Sequence, residues 1–402
     1  MTKVVVTGFE MITALGLTWQ ETWNHLLAGR SGIGPIRRFD ASSYATRIAG
    51  EVPAGFDDYA AQFVKGRRAR QMARAVRIGY VCARKAVEES GVNFQSLDRD
   101  RCAVIMGMVD TGHSAMDDQS FWILKTMPHA LSAWIALDFK LEGPNYAVSA
   151  ACASSAFAIA QAYDWIHWGR ADLVIVGGAS AIVNPEHVVG FGELQALSTA
   201  NAEPTKASRP FSRGRDGFVM GEGAGVLVLE SEASALKRGA HIWAEIVGHA
   251  LTSESYNIMA PRKNGEGMAK TMNLALKNSG VAAEDVHYIN AHGTSTSFND
   301  LYETLAIKKV FGSRAFEIPI SSTKSMIGHT AAAAGSIEAI VSVLSVAQGR
   351  IHPTINYEPD PELDLDYVPE KSRDHAIRVA LSNSFGFGGV NAVLVIGRYE
   401  PS

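Results

Sequence analysis

Ten apolar runs of strand length recur along this chain of 402 residues, separated by longer stretches of helical character. In the first half they are Val4–Thr7, Cys102–Met106, Tyr146–Ser149, Leu173–Val176 and Val226–Leu229. In the second they are Ala244–Val247, Tyr288–Asn290, Ile318–Ser321, Val379–Ser382 and Val393–Ile396. A strand that is apolar at successive positions has no face to give to water, so it must be covered on both sides. Strands of that kind alternating with helices predict an α/β fold in layers. The two halves also match in outline. Each opens on a strand that reaches a glycine (Val6-Thr7-Gly8 and Val247-Gly248), and each holds a central helix of small residues. One begins near Cys152 and runs through Ala160; the other begins near His329 and runs to Val343. A helix that is small and apolar all round is buried, and two of them can pack closely. The pattern predicts an internal duplication, with halves 1–235 and 236–402. The Ala-, Glu- and Lys-rich stretch Ser231–Ala240 is read as a surface helix joining them.

Composition narrows the function classes. Hydrophobic residues make up 47% and charged residues 19%, the balance of a globular protein with a large core. A net charge of -4 gives no field of the kind that draws nucleic acid. Three cysteines in a chain this long supply no disulfide framework, which points to a reducing compartment. The opening Lys3–Gly8 is too short and strand-like for a signal segment, and no apolar run is read as long enough to span a membrane. A cytoplasmic protein is expected.

Four segments stand out chemically. Cys152 lies in Ser149-Ala150-Ala151-Cys152-Ala153-Ser154-Ser155, between a strand and the first small-residue helix. Backbone N–H groups and the helix dipole at such a turn favour a thiolate, the nucleophilic form. A core thiol is the commoner fate of a cysteine, and Cys82 and Cys102 are read that way. Two histidine motifs shift the balance for Cys152. His292 follows a strand in Asn290-Ala291-His292-Gly293-Thr294-Ser295-Thr296, and His329 ends Lys324-Ser325-Met326-Ile327-Gly328-His329 before the alanine-rich helix. Either alone reads as a satisfied structural histidine; together with a thiol they make a nucleophile and acid/base or oxyanion set. The fourth segment is Asn383 to Asn391, where three glycines flank Phe387. It is either a plain glycine-rich turn or a bend that presents N–H groups and a movable ring. Arg215 to Gly225 mixes charge and glycine but lacks the lysine-serine ending of a phosphate loop.

In these motifs the chain resembles the β-ketoacyl-ACP synthases of fatty acid and polyketide assembly, over essentially its whole length. It is most similar to the elongating Cys-His-His type. The resemblance implies a thiolase-like duplicated fold, five-layered αβαβα. It implies Cys152 as the acyl-accepting nucleophile, its thiol pKa lowered by helix Cys152–His167, with the N–H groups of Cys152 and Phe387 as oxyanion donors. His292 and His329 would stabilise the enolate formed as malonyl thioester loses carbon dioxide. Lys324 would order the His329 loop, Thr294 and Thr296 would contact the pantetheine arm, and Phe387 would gate the acyl pocket. Glu338 would be a network or ion-binding residue, and Asp216 and Asn391 structural network residues. No cofactor or metal is implied; substrates ride on the phosphopantetheine of acyl carrier protein. Members pair as homodimers or as heterodimers with a chain-length-factor-like homologue.

The run Lys65-Gly66-Arg67-Arg68 would dock the acidic carrier, with Arg70, Arg74 and Arg77 sharing one helical face and Lys125 contributing. The chain departs from the family at Ala332, Ser297 and Ser212. It departs more broadly in Asp110 to Pro144, a short stretch carrying His113, Trp122, His129 and Trp134. That departure leans the reading towards a type II polyketide or specialised fatty acid pathway. No cysteine follows Cys152, against a degradative thiolase; His329 argues against Cys-His-Asn synthases, and Cys152 against a non-catalytic chain-length factor.

Overall fold

The computed structural model describes residues 2–401. All ten expected strands form, and all ten belong to one sheet. They are β1 (Val4–Ile12), β2 (Cys102–Gly107), β3 (Asn145–Val148), β4 (Leu173–Ala181) and β5 (Glu222–Ser231). The second half gives β6 (Ala244–Ser253), β7 (Tyr288–Asn290), β8 (Ile320–Ser321), β9 (Val379–Gly386) and β10 (Val390–Gly397). Seven helices position the site: α1 (Arg74–Ser90), α2 (Ala130–Phe139), α3 (Ser154–His167), α4 (Pro185–Glu193), α5 (Glu266–Ser279), α6 (Ser297–Phe311) and α7 (Ala334–Gln348). The joining stretch contains a short helix, Glu232–Lys237.

Strand order shows the duplication directly. The first half runs β3-β2-β4-β5-β1 and the second β8-β7-β9-β10-β6, the same permutation of five. Within each half the pairings are parallel, parallel, antiparallel, antiparallel in that order. The halves join where Val4–Val6 of β1 pairs antiparallel with Ala244–Ile246 of β6. The two glycines expected to end strands lie inside them instead. β1 and β6 continue for several residues past Gly8 and Gly248, and a register shift sits just before each. A Cβ on Gly8 would strike Ser90 at 2.6 Å, and one on Gly248 would strike Ser279 at 2.9 Å. Each glycine therefore lets the C-terminal end of an outer helix, α1 or α5, close onto the sheet.

Side-chain alternation turns this sheet into layers. Ala103, Ile105, Val174, Val176, Leu227 and Leu229 join the inner core around α3 and α7. Their neighbours Val104, Met106, Ile175 and Val228 face the outer core under α1 and α2. In the second half Leu394 and Ile396 face inward, while Val393 and Val395 face the outer core under α5 and α6. The succession is helix, sheet, helix, sheet, helix. The inner helices meet where a Cβ on Gly335 would lie 2.8 Å from that of Ala156.

Three expectations change. By length and apolarity the stretch Ala331–Gln348 could cross a membrane, but 89% of it is buried between the half-sheets, so it is a core helix. The helix after Cys152 starts at Ser154, leaving the thiol just before it. Arg70, Arg74 and Arg77 do not share a helix: Gly66–Arg70 is a separate short helix that stops before α1 begins at Arg74.

Candidate active site

Cys152, His292 and His329 open onto one cavity of about 410 Å³. Cys152 and His292 each arrive on a tight turn after a strand, and His329 on the turn that follows the short helix Lys324–Ile327 after β8. Ala151 before Cys152 (φ 47°), Ser295 after His292 (φ 69°) and Ala331 after His329 (φ 43°) all hold left-handed backbone without being glycine. Such conformations cost about 1–3 kcal/mol and gather where surrounding structure fixes a functional group. The loop after β9 completes the cavity, bringing Gly386 and Phe387 to the thiol. It is both the turn joining β9 to β10 and a wall of the site.

The histidine tautomers follow from their partners. Lys324 is buried, and its ammonium faces three acceptors: a Glu338 carboxylate oxygen, the His292 carbonyl at 2.7 Å and His292 Nδ1 at 3.3 Å. An ammonium has three protons and no lone pair. Nδ1 of His292 must therefore accept, which leaves its proton on Nε2. His329 Nδ1 accepts from the Ala331 N–H at 3.3 Å, which leaves its proton on Nε2 as well. Burial and the Lys324 charge push both imidazole pKa values well below the usual range, and the His329 charge adds to this at His292. The site thus holds two neutral imidazoles, with ring centroids 5.4 Å apart and nearly perpendicular, each with an Nε2–H to give.

The Lys324 ammonium, expected to order the His329 loop, hydrogen-bonds His292, while its charge also reaches His329. Its partner Glu338 is pushed up to about 7 by burial, against the pull of Lys324. Glu338 Oε2, Asn290 Oδ1, Ser382 Oγ and Asn383 Oδ1 are buried with no hydrogen-bond partner, and Asn290 faces Ser382 across the β7–β9 pairing.

The expected depression of the Cys152 thiol is also reversed. Burial pushes it up to about 11, outweighing Lys324 and the N–H groups of Phe387 and Cys152 that approach the sulfur. Cys82 and Cys102 are core thiols as read, raised by burial, Cys102 to about 12.

Thr294 and Thr296 line the cavity with hydroxyls 2.9 Å apart. Asn391 is buried at its edge and donates to Glu254 at 3.0 Å. Asp216 is on the exposed rim and accepts from the Thr199 N–H at 3.1 Å.

The basic run is only partly surface charge. Lys65, Arg67 and Arg70 are exposed. Arg68 pairs with Asp138 at 3.0 Å, Arg74 with the buried Glu222 and Arg77 with Asp57. Lys125 is buried and bonded to the Asp118 carbonyl, so it cannot serve as a docking charge.

Two buried carboxylates on α6 escaped the sequence reading. Glu303 accepts the N–H groups of His292 and Gly293, both at 2.9 Å, and the Asn383 amide at 3.0 Å. Asp300 accepts from Thr294 at 3.0 Å and Phe211 at 2.8 Å. Their signal was the spacing Asp300-x-x-Glu303 on one face of a helix directly after the His292 turn. Phe218, packed on His329 with centroids 5.4 Å apart, was likewise missed.

Comparison with known proteins agrees with this geometry. The family model for the β-ketoacyl synthase N-terminal domain matches residues 1–235, and that for the C-terminal domain residues 243–358. The chain is 43% identical to 3-oxoacyl-(acyl-carrier-protein) synthase 2 of Synechocystis over 99% of its length and 98% of that protein. The solved ishigamide ketosynthase/chain length factor superposes with a TM-score of 0.91 at 34% identity, over 99% of this chain and 100% of that one. A type II polyketide ketosynthase complexed with its acyl-carrier protein gives a TM-score of 0.89 at 32% identity, over 99% and 100%. The chain belongs to the β-ketoacyl synthases, acyl-transferring enzymes that form carbon–carbon bonds.

Proposed function

We propose that the protein condenses an acyl group held on Cys152 with a malonyl thioester carried by acyl carrier protein, releasing carbon dioxide and a β-ketoacyl thioester. The observation that carries this assignment is the pair of neutral Nε2–H imidazoles facing the same cavity as the thiol. Cys152 attacks the acyl thioester, the pantetheine thiol leaves with the proton, and the N–H groups of Cys152 and Phe387 hold the oxyanion. Malonyl thioester enters past Thr294, Thr296 and the Phe387 loop. His292 and His329 donate to its thioester oxygen as carbon dioxide departs, and the carbanion attacks the acyl-Cys152 carbonyl; the carbon–sulfur bond breaks, and the Cys152 thiolate leaves and takes a proton from solvent. Neutral imidazoles suit this step because their Nε2–H is too weak an acid to protonate the enolate it hydrogen-bonds, so the carbanion survives to attack. A thiol raised by burial is mostly protonated in the free enzyme. Lys324, held by Glu338, fixes the His292 tautomer; Asp216 and Asn391 hold the cavity rim.

The ion-binding role expected of Glu338 is supported by its orphaned Oε2 and the orphaned oxygens of Asn290, Ser382 and Asn383. An all-oxygen set with one carboxylate suits a hard monovalent cation rather than a transition metal.

Lys65 and Arg67, with Arg70 in place of Lys125, would steer the acidic carrier. A type II polyketide or specialised fatty acid pathway is supported by the likeness to the ishigamide and type II polyketide ketosynthases. The first of these also supports a heterodimer with a chain-length factor as the alternative to a homodimer, and copurification of a homologous second chain would distinguish them. Three free cysteines support the cytoplasm as the place of action.

Intact mass after incubation with acyl carrier proteins bearing different acyl groups tests the assignment. An acyl adduct that disappears in Cys152→Ala is expected; no adduct with any donor refutes it.

A further inference from the structure

We infer that Asn299 completes a recognition site for a secondary amide of the carrier arm, accepting that amide's N–H at Oδ1. This rests on the acyl-Cys152 reading above and adds a specificity-determining residue to it.

Asn299 lies in the first turn of α6 and lines the cavity together with Thr294 and Thr296. Its amide nitrogen bridges the two buried carboxylates of that helix, donating to Asp300 Oδ1 at 3.1 Å and to Glu303 Oε2 at 3.4 Å. All four carboxylate oxygens already accept N–H groups. Those of Asp300 take them from Thr294 and Phe211, and those of Glu303 from His292, Gly293 and Asn383. The atom of Asn299 that meets them is therefore its nitrogen, because a carbonyl oxygen there would face only acceptors. The side-chain amide is planar, so fixing the nitrogen also fixes the oxygen. Oδ1 is turned away from both carboxylates, towards the cavity that the residue lines. Among the described residues no donor hydrogen-bonds it.

The neighbouring hydroxyls supply the opposite need. Thr294 Oγ1 and Thr296 Oγ1 lie 2.9 Å apart and share one proton between them. Two hydroxyls have two protons, so one is left to give. This wall of the cavity thus presents a hydroxyl donor and a carbonyl acceptor. A secondary amide carries the matching pair, a C=O that accepts and an N–H that donates, and the pantetheine arm contains such amides along its length. An ester keeps the carbonyl but has no donor, so it would leave Oδ1 facing lone pairs.

The acceptor is also held in place before the arm arrives. The carboxylates that grip Asn299 are the ones that hold the His292 turn, so Oδ1 belongs to the same frame as the imidazole. Binding the amide then orders no further side chain, and the affinity of that hydrogen bond is not spent on immobilising Asn299.

The test measures the rate of Cys152 acylation by intact mass. The acyl donors are a short saturated thioester of pantetheine and its oxa-analogues, in which each amide N–H in turn is replaced by an ester oxygen. That exchange removes the donor and keeps the shape. Wild type should load from the amide form about tenfold faster than from one of the analogues. In Asn299→Ala and in Asn299→Leu that preference should vanish. Each preference compares two thioesters on one enzyme, so a merely structural role, which lowers both rates together, would leave it unchanged. A wild type that loads every analogue as fast as the amide form overturns the inference, and so does a preference kept in either variant. Absence of any wild-type adduct overturns the acyl-Cys152 reading, and this inference with it.

Discussion

Alkylation of Cys152 in the free enzyme should show no low-pH plateau. The thiol is pushed up to about 11 from an ordinary 9.0 because burial outweighs the N–H groups and the Lys324 charge beside it. At pH 8 that leaves about one molecule in a thousand ionised, against about one in ten for an ordinary thiol, a hundredfold deficit. A more basic thiolate is also the better nucleophile, recovering about tenfold over the same interval. The iodoacetamide rate at pH 8 should therefore be about tenfold below that of an exposed cysteine. It should climb tenfold per pH step towards 11, with no inflection near 6.5 because both histidines stay neutral. Lys324→Met should push the whole profile to higher pH, since that charge is the largest effect opposing burial. The assay is stopped-flow or quenched alkylation read by intact mass, with Cys152→Ala subtracted. A plateau at or below pH 9 would refute the reasoning and restore the helix N-terminus as the dominant influence.

Further outcomes follow from single contacts. Lys324→Met leaves Glu338 buried without its ion-pair partner and should cost about 3–5 kcal/mol in denaturant unfolding, partly recovered on adding Glu338→Gln. Because Glu338 holds its proton up to about 7 when folded but only to 4.5 when unfolded, its contribution is complete below pH 4.5. It is lost as pH rises through 7, a swing of about 3 kcal/mol that Glu338→Gln should abolish. Glu303→Ala removes the acceptor of two N–H groups at the His292 turn; condensation should fall about hundredfold while Cys152 acylation persists, as product and adduct assays can separate. Gly335→Val forces the inner helices apart at Ala156 and should cost about 1–3 kcal/mol by thermal or denaturant melting. Lys65→Glu with Arg67→Glu should slow carrier-dependent turnover at low salt but not at high salt, whereas Arg68→Glu should also lower stability by breaking its pair with Asp138.

What could be read from residues alone depended on the range over which the physics acts. All ten strands were visible because burial on both faces leaves a continuous apolar run, a property of neighbouring residues. Strand ends were not visible. β4 and β5 extend through Gly177–Ala181 and Glu222–Gly225, small or charged residues buried by distant segments: Gly178 and Gly225 against Ala332 and Ser336 of the other half, Ala179 in the outer core and Glu222 against Arg74. The thiol and histidines that line the cavity were legible from their turns. Their protonation was not, since it depends on how the fold packs around them and on one lysine reached across it. Arg74 looked like surface charge for the same reason: its partner Glu222 lies 148 positions away.

The shared permutation of five strands explains why one cavity can be built from such distant segments. In each half the two edge strands are parallel to the third, so their C-terminal ends open on the same side. A duplicated fold places those openings against each other across the inner helices, and the halves then diverge at equivalent points. After β7 the second half places His292, braced by Glu303; at the corresponding end of β2 the first half places Asp110, whose Oδ2 lies 2.9 Å from His187 Nε2. After β8 come Lys324 and His329; after β3 comes Cys152. On this reading the first half supplies the nucleophile and the back wall of its acyl site, and the second supplies the groups that handle the enolate. The two chemistries should then separate by mutation along the same boundary: Cys152→Ala should abolish loading of the chain, whereas Glu303→Ala should leave loading in place and change what becomes of the loaded chain.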